Sequence, residues 1–361
     1  MINREERRIA YRTRKGDVPV QITHLLSTKE DNILALSEEN NYLDLFDRLW
    51  KSSFTKEALP DSEVKLLHSN PSDFYSMLST HRFFQCNGLY YQQINNTDLV
   101  FEYFDKAMGW WDEYPKYKEE EFYNYIIDAS NFLAICFKKE RFDYFNDLLT
   151  KLESENPVNP HHQKILFQRL FQFKLLYNIN FGIVTNVLQI AETVEDGLSK
   201  HTVAITTEKV LSFNIAVLLF IAGEHPLTAV WCDRVIKNKG NKERLDITVG
   251  SYFLKILTAI ELDDLDATEA AFRSAYRFLA KTDMVEKPYF MGFWKKLKEI
   301  SELPYSDFVP ALGEIKAYIN TMRNGIAGII PWSGFDEMTV CWVDSKQTKK
   351  SISQVIQATK H

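Results

Sequence analysis

The sequence predicts an all-α protein built from antiparallel helix hairpins. Three observations carry that expectation. Apolar residues recur at steps of three and four along most of the chain, the spacing that gathers side chains on one helix face. Breakers are few, with 13 Gly and 11 Pro in 361 residues, while 25 Phe, 17 Tyr and 7 Trp supply large apolar groups; that balance favours long packed helices over a turn-rich β fold. Turn signals fall near residues 95, 140, 180, 223 and 264, a period of about 40 to 45 residues.

Taken in order, residues 1–70 are the least regular. Ile33, Leu36, Leu43, Phe46, Leu49 and Trp50 predict one or two helices, interrupted by the polar run 37–41, and Pro60 and Asn70–Pro71 mark boundaries. Ser72 or Asp73 caps a helix with the stripe Phe74, Met77, Leu78, Phe84, Gly88 and Tyr91. Asn95–Asn96 turns the chain into a partner carrying Val100, Phe104, Ala107, Met108 and Trp111, which stops before Pro115. Glu119, Glu120 and Glu121 are expected in the first turn of the next helix, where carboxylates suit the dipole. Its stripe is Phe122, Ile126, Ala129, Leu133, Cys136 and Phe137. A turn at 140–141 leads to Phe142, Phe145, Leu149 and Leu152.

The pattern then repeats. Asn156–Pro157 and Asn159–Pro160 break the chain. Leu166, Leu170, Phe173 and Tyr177 pair across a turn at 178–180 with Ile183, Val187, Ile190, Ala191 and Val194. Val210, Phe213, Val217 and Phe220 pair across Gly223 with Leu227, Val230 and Trp231. Val249, Phe253, Ile256 and Ile260 pair across Asp263–Asp264 with Ala271, Phe272, Ala275 and Leu279. Phe293, Leu297, Ile300, Phe308, Leu312, Ile315, Ile319 and Met322 give two more helices, and Gly325, Gly328, Pro331 and Gly334 predict a loop over 324–334. Ser333 with Asp336 resembles a capping box. Phe335, Met338, Cys341 and Trp342 are positioned to seal an open end, with a short strand over 338–343 as the alternative, and 346–361 reads as a polar, frayed tail. Each hairpin has an apolar face it cannot bury alone, so stacking the hairpins forms one continuous core and leaves a groove along the array. The expected organisation is an N-terminal helical segment over 1–70, a repeat array over 71–325, and a capping segment and tail over 326–361.

Composition excludes several function classes. The formal net charge is −6, against a body wrapped around nucleic acid. The one basic run is the N-terminal arm with Arg4, Arg7, Arg8, Arg12, Arg14 and Lys15. Cys86, Cys136, Cys232 and Cys341 form no CxxC pair, so neither a zinc site nor a redox motif is signalled, and reduced buried thiols are the expectation. No signal peptide is evident, and the longest apolar run, Ile215–Ala222, is too short to span a bilayer; a cytoplasmic location follows. No phosphate-binding glycine loop, dinucleotide fingerprint or nucleophile elbow occurs. His161–His162 diverge on a helix and lack an acidic partner at ligand spacing, so no metal, cofactor or catalytic residue is expected.

Gly88 with Tyr91, then Phe104 and Ala107, reproduce the small-residue and aromatic spacing of a helical repeat; Ala216 and Gly223, then Phe272 and Ala275, do so later in the chain. On these residues the stretch from Ser72 to Lys281 resembles tetratricopeptide repeats, in the divergent form found in bacteria. Leu133, Phe173 and Ile256 stand where that pattern has a small residue, and the period exceeds the family's 34 residues. The resemblance implies a right-handed superhelical α-solenoid and a non-enzymatic protein- or peptide-binding scaffold with no cofactor. Two alternatives stand beside it: a partner-sensing regulatory repeat protein, and an enzyme with a site assembled between helices.

The candidate binding residues follow from that implication. Asn131 and Asn214 occupy equivalent places, two residues before Leu133 and Ala216, where such an asparagine grips a peptide backbone through its donor and acceptor; the other reading is a buried hydrogen bond tying neighbouring helices. Arg82, Gln85 and Gln92 are expected on the exposed side of one first helix, with Arg169 and Lys174 along a later one. Lining a groove, they favour an acidic peptide or carboxylate terminus; otherwise they are a solvated face. Arg244, with Asp246, is either groove wall or a local ion pair.

Overall fold

The computed structural model describes residues 18–55, 59–238, 244–325 and 335–360, and among them the protein is all-helical, with no strand. The chain packs as two compact units, Met1–Ser154 and Glu155–His361. The basic arm and the proposed Ser333 cap lie outside the described residues.

In the first unit, α1 (Val18–Thr55) is one helix of 38 residues. The polar run 37–41 does not interrupt it, because its carboxylates have partners. Glu38 accepts the backbone N–H of Tyr75 (3.3 Å) and Ser76 (3.2 Å), and Glu39 accepts the Ser76 hydroxyl. These acids thus sit at the positive end of the helix that Ser76 caps. Tyr42, Leu45 and Leu49 are buried, and Leu36, Leu43, Trp50 and Phe54 are exposed. After α2 (Asp61–Leu66) and a short 3-10 turn (Pro71–Asp73), α3 (Met77–Gln93) packs against α1 and against α4 (Thr97–Glu113). The stripe expected on α3 holds at Gly88, which is buried, and is displaced elsewhere: Met77 is exposed and Phe84 half-buried, whereas His81, Phe83, Gln85, Cys86 and Leu89 are buried. The cap is Ser76, four residues after Ser72, because the chain between is extended and turned. The α4 stripe is buried as expected.

Glu119 and Glu120 do not open a helix. They end the short α5 (Pro115–Glu120), and Glu121 is the N-cap of α6 (Phe122–Lys138) without a side-chain capping bond. Pro115 decides this, since its fixed φ starts a helix of its own. α6 then pairs with α7 (Phe142–Ser154).

In the second unit, α8 (Pro160–Phe181) runs through the turn expected at 178–180. It stops at Gly182, φ 60°, whose N–H and that of Ile183 bond back to the carbonyls of Ile179 and Asn178. Then come α9 (Val187–Lys200), α10 (Ile205–Ala222), α11 (His225–Lys237), α12 (Leu245–Glu261) and α13 (Leu265–Lys281). On α11 the buried residues are Thr228, Trp231, Cys232 and Val235, while Leu227 and Val230 are exposed. Asn95, Glu140, Gly182, Gly223 and Asp263 all take left-handed backbone at the helix–helix turns. The turn thus recurs in conformation as well as in position. α10 packs against α8, α9, α11 and α12, and α12 against α10, α11 and α13. α10 is long and apolar enough to cross a membrane by length and composition, and 61% of it is buried within the fold.

Three glycines explain how closely these helices meet. A Cβ on Gly88 would stand 2.6 Å from the Phe104 ring, on Gly197 2.0 Å from Phe167, and on Gly250 2.9 Å from Phe213. Each ring fills the space its glycine leaves. Gly88→Val should lower stability by about 2 kcal/mol, overpacking outweighing the better helix propensity of a side chain. A urea midpoint equal to wild type would refute that account of the contact.

The chain closes with α14 (Lys287–Ser301), α15 (Tyr305–Ala311), α16 (Gly313–Gly325), α17 (Phe335–Thr348) and α18 (Ile352–Thr359). Residues 338–343 are helix, not strand. Nor is the stretch after Lys346 frayed: Ser351 and Gln354 form a reciprocal capping box, and Ile352, Val355 and Ile356 are buried. Ser353 and Gln357 donate to the Gly182 carbonyl at 2.7 and 3.1 Å. The Phe335 ring lies 5.8 Å from those of Phe253 and Phe293. These last two helices therefore reach back along the unit to α8, α10 and α12.

Candidate functional site

A cavity of about 510 Å³ opens in the second unit. Gln168 and Gln172 of α8 form one wall, Thr206, Thr207, Val210 and Leu211 of α10 another, and Arg244 at the start of α12 the third. These are the first helices of three successive hairpins. Helical spacing explains the lining. Gln168 and Gln172 are one turn apart on α8, and Thr207 and Leu211 are one turn apart on α10. Ala204 leads into α10 without a side-chain cap, so the first-turn N–H groups near Thr206 and Thr207 have no capping partner there.

The polar groups are held in place. Arg169 Nη1 donates to Gln172 Oε1 at 3.2 Å, which leaves the Gln172 amide nitrogen as a donor toward the cavity. Arg244 takes left-handed backbone, φ 55°, and its guanidinium forks onto Asp246 at 3.0 and 2.9 Å. Asp246 is buried, so the pair is a local ion pair that also faces the cavity. Its charge is largely neutralised. The site is consequently mixed in polarity rather than cationic, and it presents amides, hydroxyls and a short apolar wall.

Of the residues singled out from sequence, Arg244 lines this cavity and Arg169 positions one that does. Asn214 is half-buried four residues past Val210, on the same side of α10. Lys174 is two residues past Gln172, roughly 200° around α8, and turns away from it. The others belong to the first unit. Asn131 and Gln92 are exposed there. Neither Asn131 nor Asn214 makes a side-chain hydrogen bond among the described residues, so the buried interhelix tie considered for them is not found. Gln85, expected on an exposed face beside Arg82 and Gln92, is 4% exposed. Its Nε2 donates to Asp128 Oδ1 at 2.6 Å, and Arg82 Nη1 donates to its Oε1 at 2.7 Å.

Asp128 is the hub that sequence reading missed. Its Oδ2 lies 2.8 Å from His81 Nε2 and accepts Trp111 Nε1 at 2.9 Å. His81 stacks on Trp110, ring centroids 4.6 Å apart. The hub ties α3, α4 and α6 together. The signal in sequence was a lone Asp inside an apolar stripe, four residues before Phe132.

All four cysteines are free. Burial pushes the Cys86 and Cys136 thiols up to about 12, which keeps them protonated and poor nucleophiles. Among the described residues no group of three His, Cys, Asp or Glu side chains is placed to hold a metal ion. Comparison of the chain with protein-family models, with curated proteins and with solved structures finds no match.

Proposed function

We propose that the protein is a non-enzymatic helical-repeat scaffold of tetratricopeptide-like type that binds a protein or peptide in an extended conformation. One observation carries the reading: the 510 Å³ cavity is lined by the first helices of three consecutive hairpins, the surface that a superhelical array turns toward its ligand. Left-handed turns recurring about every 40 to 45 residues support the repeat itself. The Gln168 and Gln172 amides and the Thr206 and Thr207 hydroxyls supply both donors and acceptors, which suits backbone amides of an extended chain. Neutralisation of Arg244 by Asp246 shifts the preferred ligand from an acidic peptide toward one recognised through its backbone. A preformed wall loses little ordering entropy on binding. Four free thiols, three buried and Cys341 half-buried, fit a reducing, cytoplasmic setting.

The test is selection of the full-length protein against a library of unstructured peptides, followed by titration of the selected peptides. Gln168→Ala/Gln172→Ala should weaken binding about tenfold or more, with Asn131→Ala unchanged. Selection that yields no binder, or binders indifferent to the double substitution, would sink the proposal.

A further inference from the structure

The long helix α1 carries a second apolar row, on the face turned away from α3. Tyr42, Leu45 and Leu49 are its buried positions. With about 100° between successive residues, Leu43 points roughly the opposite way. Ile33, Leu36, Leu43, Trp50 and Phe54 are 43 to 73% exposed. Leu36, Leu43 and Trp50 are seven residues apart, and so are the positions of Ile33, Asn40, Asp47 and Phe54. Two such interleaved series are the seam of a coiled coil, which fits another α-helix rather than a strand or loop. The Trp50 and Phe54 rings already meet edge to face, centroids 5.8 Å apart.

The row is large for a free surface. At about 200 Å² for a fully exposed large side chain, these fractions leave on the order of 600 Å² of apolar surface. That is the top of the range of about 300–600 Å² for the largest patch on a monomer. It is most of the ~800 Å² that each partner buries in a standard interface.

Two exposed polar residues, Asn40 and Asp47, interrupt the row near its middle, and they select the partner. Laid antiparallel on a copy of itself about Leu43, the row is self-complementary. Leu43 meets Leu43, Leu36 meets Trp50, and Ile33 meets Phe54. Asn40 then meets Asp47, so an amide donor faces a carboxylate acceptor. Self-complementarity of this kind is what a two-fold interface requires, and a polar pair inside an apolar seam fixes its register. Parallel pairing in the same register instead sets Asp47 against Asp47, and like charges face each other across a desolvated seam. Asp44 and Lys51, both exposed, lie on the flank of the row, where charges stay in water.

The N-terminal arm is a poorer occupant. Folded back from Val18 as a helix, its 17 residues reach about 25 Å, to the neighbourhood of residue 35, whereas the row from Ile33 to Phe54 continues for about 32 Å. Its sequence is also dominated by Arg4, Arg7, Arg8, Arg12, Arg14 and Lys15, which supply no apolar series to match Leu43, Trp50 and Phe54.

We propose that the protein forms a two-fold symmetric dimer through α1, paired antiparallel about Leu43, with the Asn40–Asp47 contacts setting register and direction. The row belongs to the first unit and the Gln168–Arg244 cavity to the second, so this inference does not rest on the scaffold reading.

Sedimentation equilibrium of the full-length protein at micromolar concentrations should give a reversible dimer. Leu43→Glu/Trp50→Glu should weaken dimerisation about a hundredfold or more. Both positions are exposed in the protomer, so helix content by circular dichroism should be unchanged. Should that variant fold poorly, Leu36→Gln/Leu43→Gln serves in its place. Direction is read by disulfide mapping. Asn40→Cys and Asp47→Cys proteins, mixed and oxidised, should yield a bridge between positions 40 and 47, and neither alone should bridge to itself. A monomer, whether the row holds the chain's own arm, another protein or water, would overturn the proposal. So would a dimer indifferent to the double substitution, or one bridged mainly between two copies of position 40.

Discussion

Asp128→Ala should cost about 3–5 kcal/mol, the largest effect expected of any single change in the first unit. The substitution leaves the His81 ring nitrogen, the Gln85 amide and the Trp111 indole without their acceptor, all inside the fold. No water-exposed route lets them recover it: His81 and Gln85 are each 4% exposed and Trp111 2%. Against a total stability of about 5–15 kcal/mol for a typical domain, such a loss approaches unfolding of the unit. Asp128→Asn keeps one carbonyl acceptor but puts an amide donor among three donors, so it should fall between wild type and alanine. Hydrogen exchange makes the test specific. Protection should collapse in α3, α4 and α6 while the second unit keeps its own. A denaturation midpoint within about 1 kcal/mol of wild type would show that the hub contributes little.

Trp342→Ala should cost about 3–5 kcal/mol in the second unit. The indole is fully buried and its Nε1 donates to Glu261. Alanine therefore removes a large apolar volume and also strips one of the two donors from a half-buried carboxylate. Trp342→Phe separates the two effects. It keeps most of the volume and loses only the donor, so it should cost about 1–3 kcal/mol. Because α17 carries α18 back to α8 and α10, the alanine variant should release α18 first. Exchange protection and protease resistance should fall at residues 351–359 before they fall in α12. Equal costs for the two variants would assign the effect to the hydrogen bond rather than to packing.

The helices that sequence read well are those with one clean apolar face. α4 and α13 show the stripes at their expected positions, because each packs on one side and meets solvent on the other. α3 was misread because it is enclosed on several sides, and its buried positions include polar residues that find partners across space. His81 and Gln85 look like surface residues in any local window. Only Asp128, 43 and more residues away, makes them core. The same holds at the C-terminus. Lys346, Ser353 and Gln357 read as a solvated tail, yet their partners are Glu261 and the Gly182 carbonyl.

Of the candidate binding residues, sequence offered Arg244 as groove wall or local ion pair and Arg169 as groove or solvated face; in the structure Arg244 lines the cavity and forks onto Asp246, and Arg169 donates to Gln172. Gln168, Thr206 and Thr207 were not singled out, since a polar residue on a helix has no signature until the neighbouring helix is present.

What the sequence determined by itself is local: the helical period, the breaks at Pro115, Pro160 and Gly223, and the recurrence of turns. These depend on backbone sterics and on the alternation of apolar and polar groups within one or two turns. What the tertiary structure decided is which polar groups are buried and which charges are cancelled. Those depend on partners far away in the chain, and the cost of a lone polar group in the interior makes such partnerships obligatory rather than incidental.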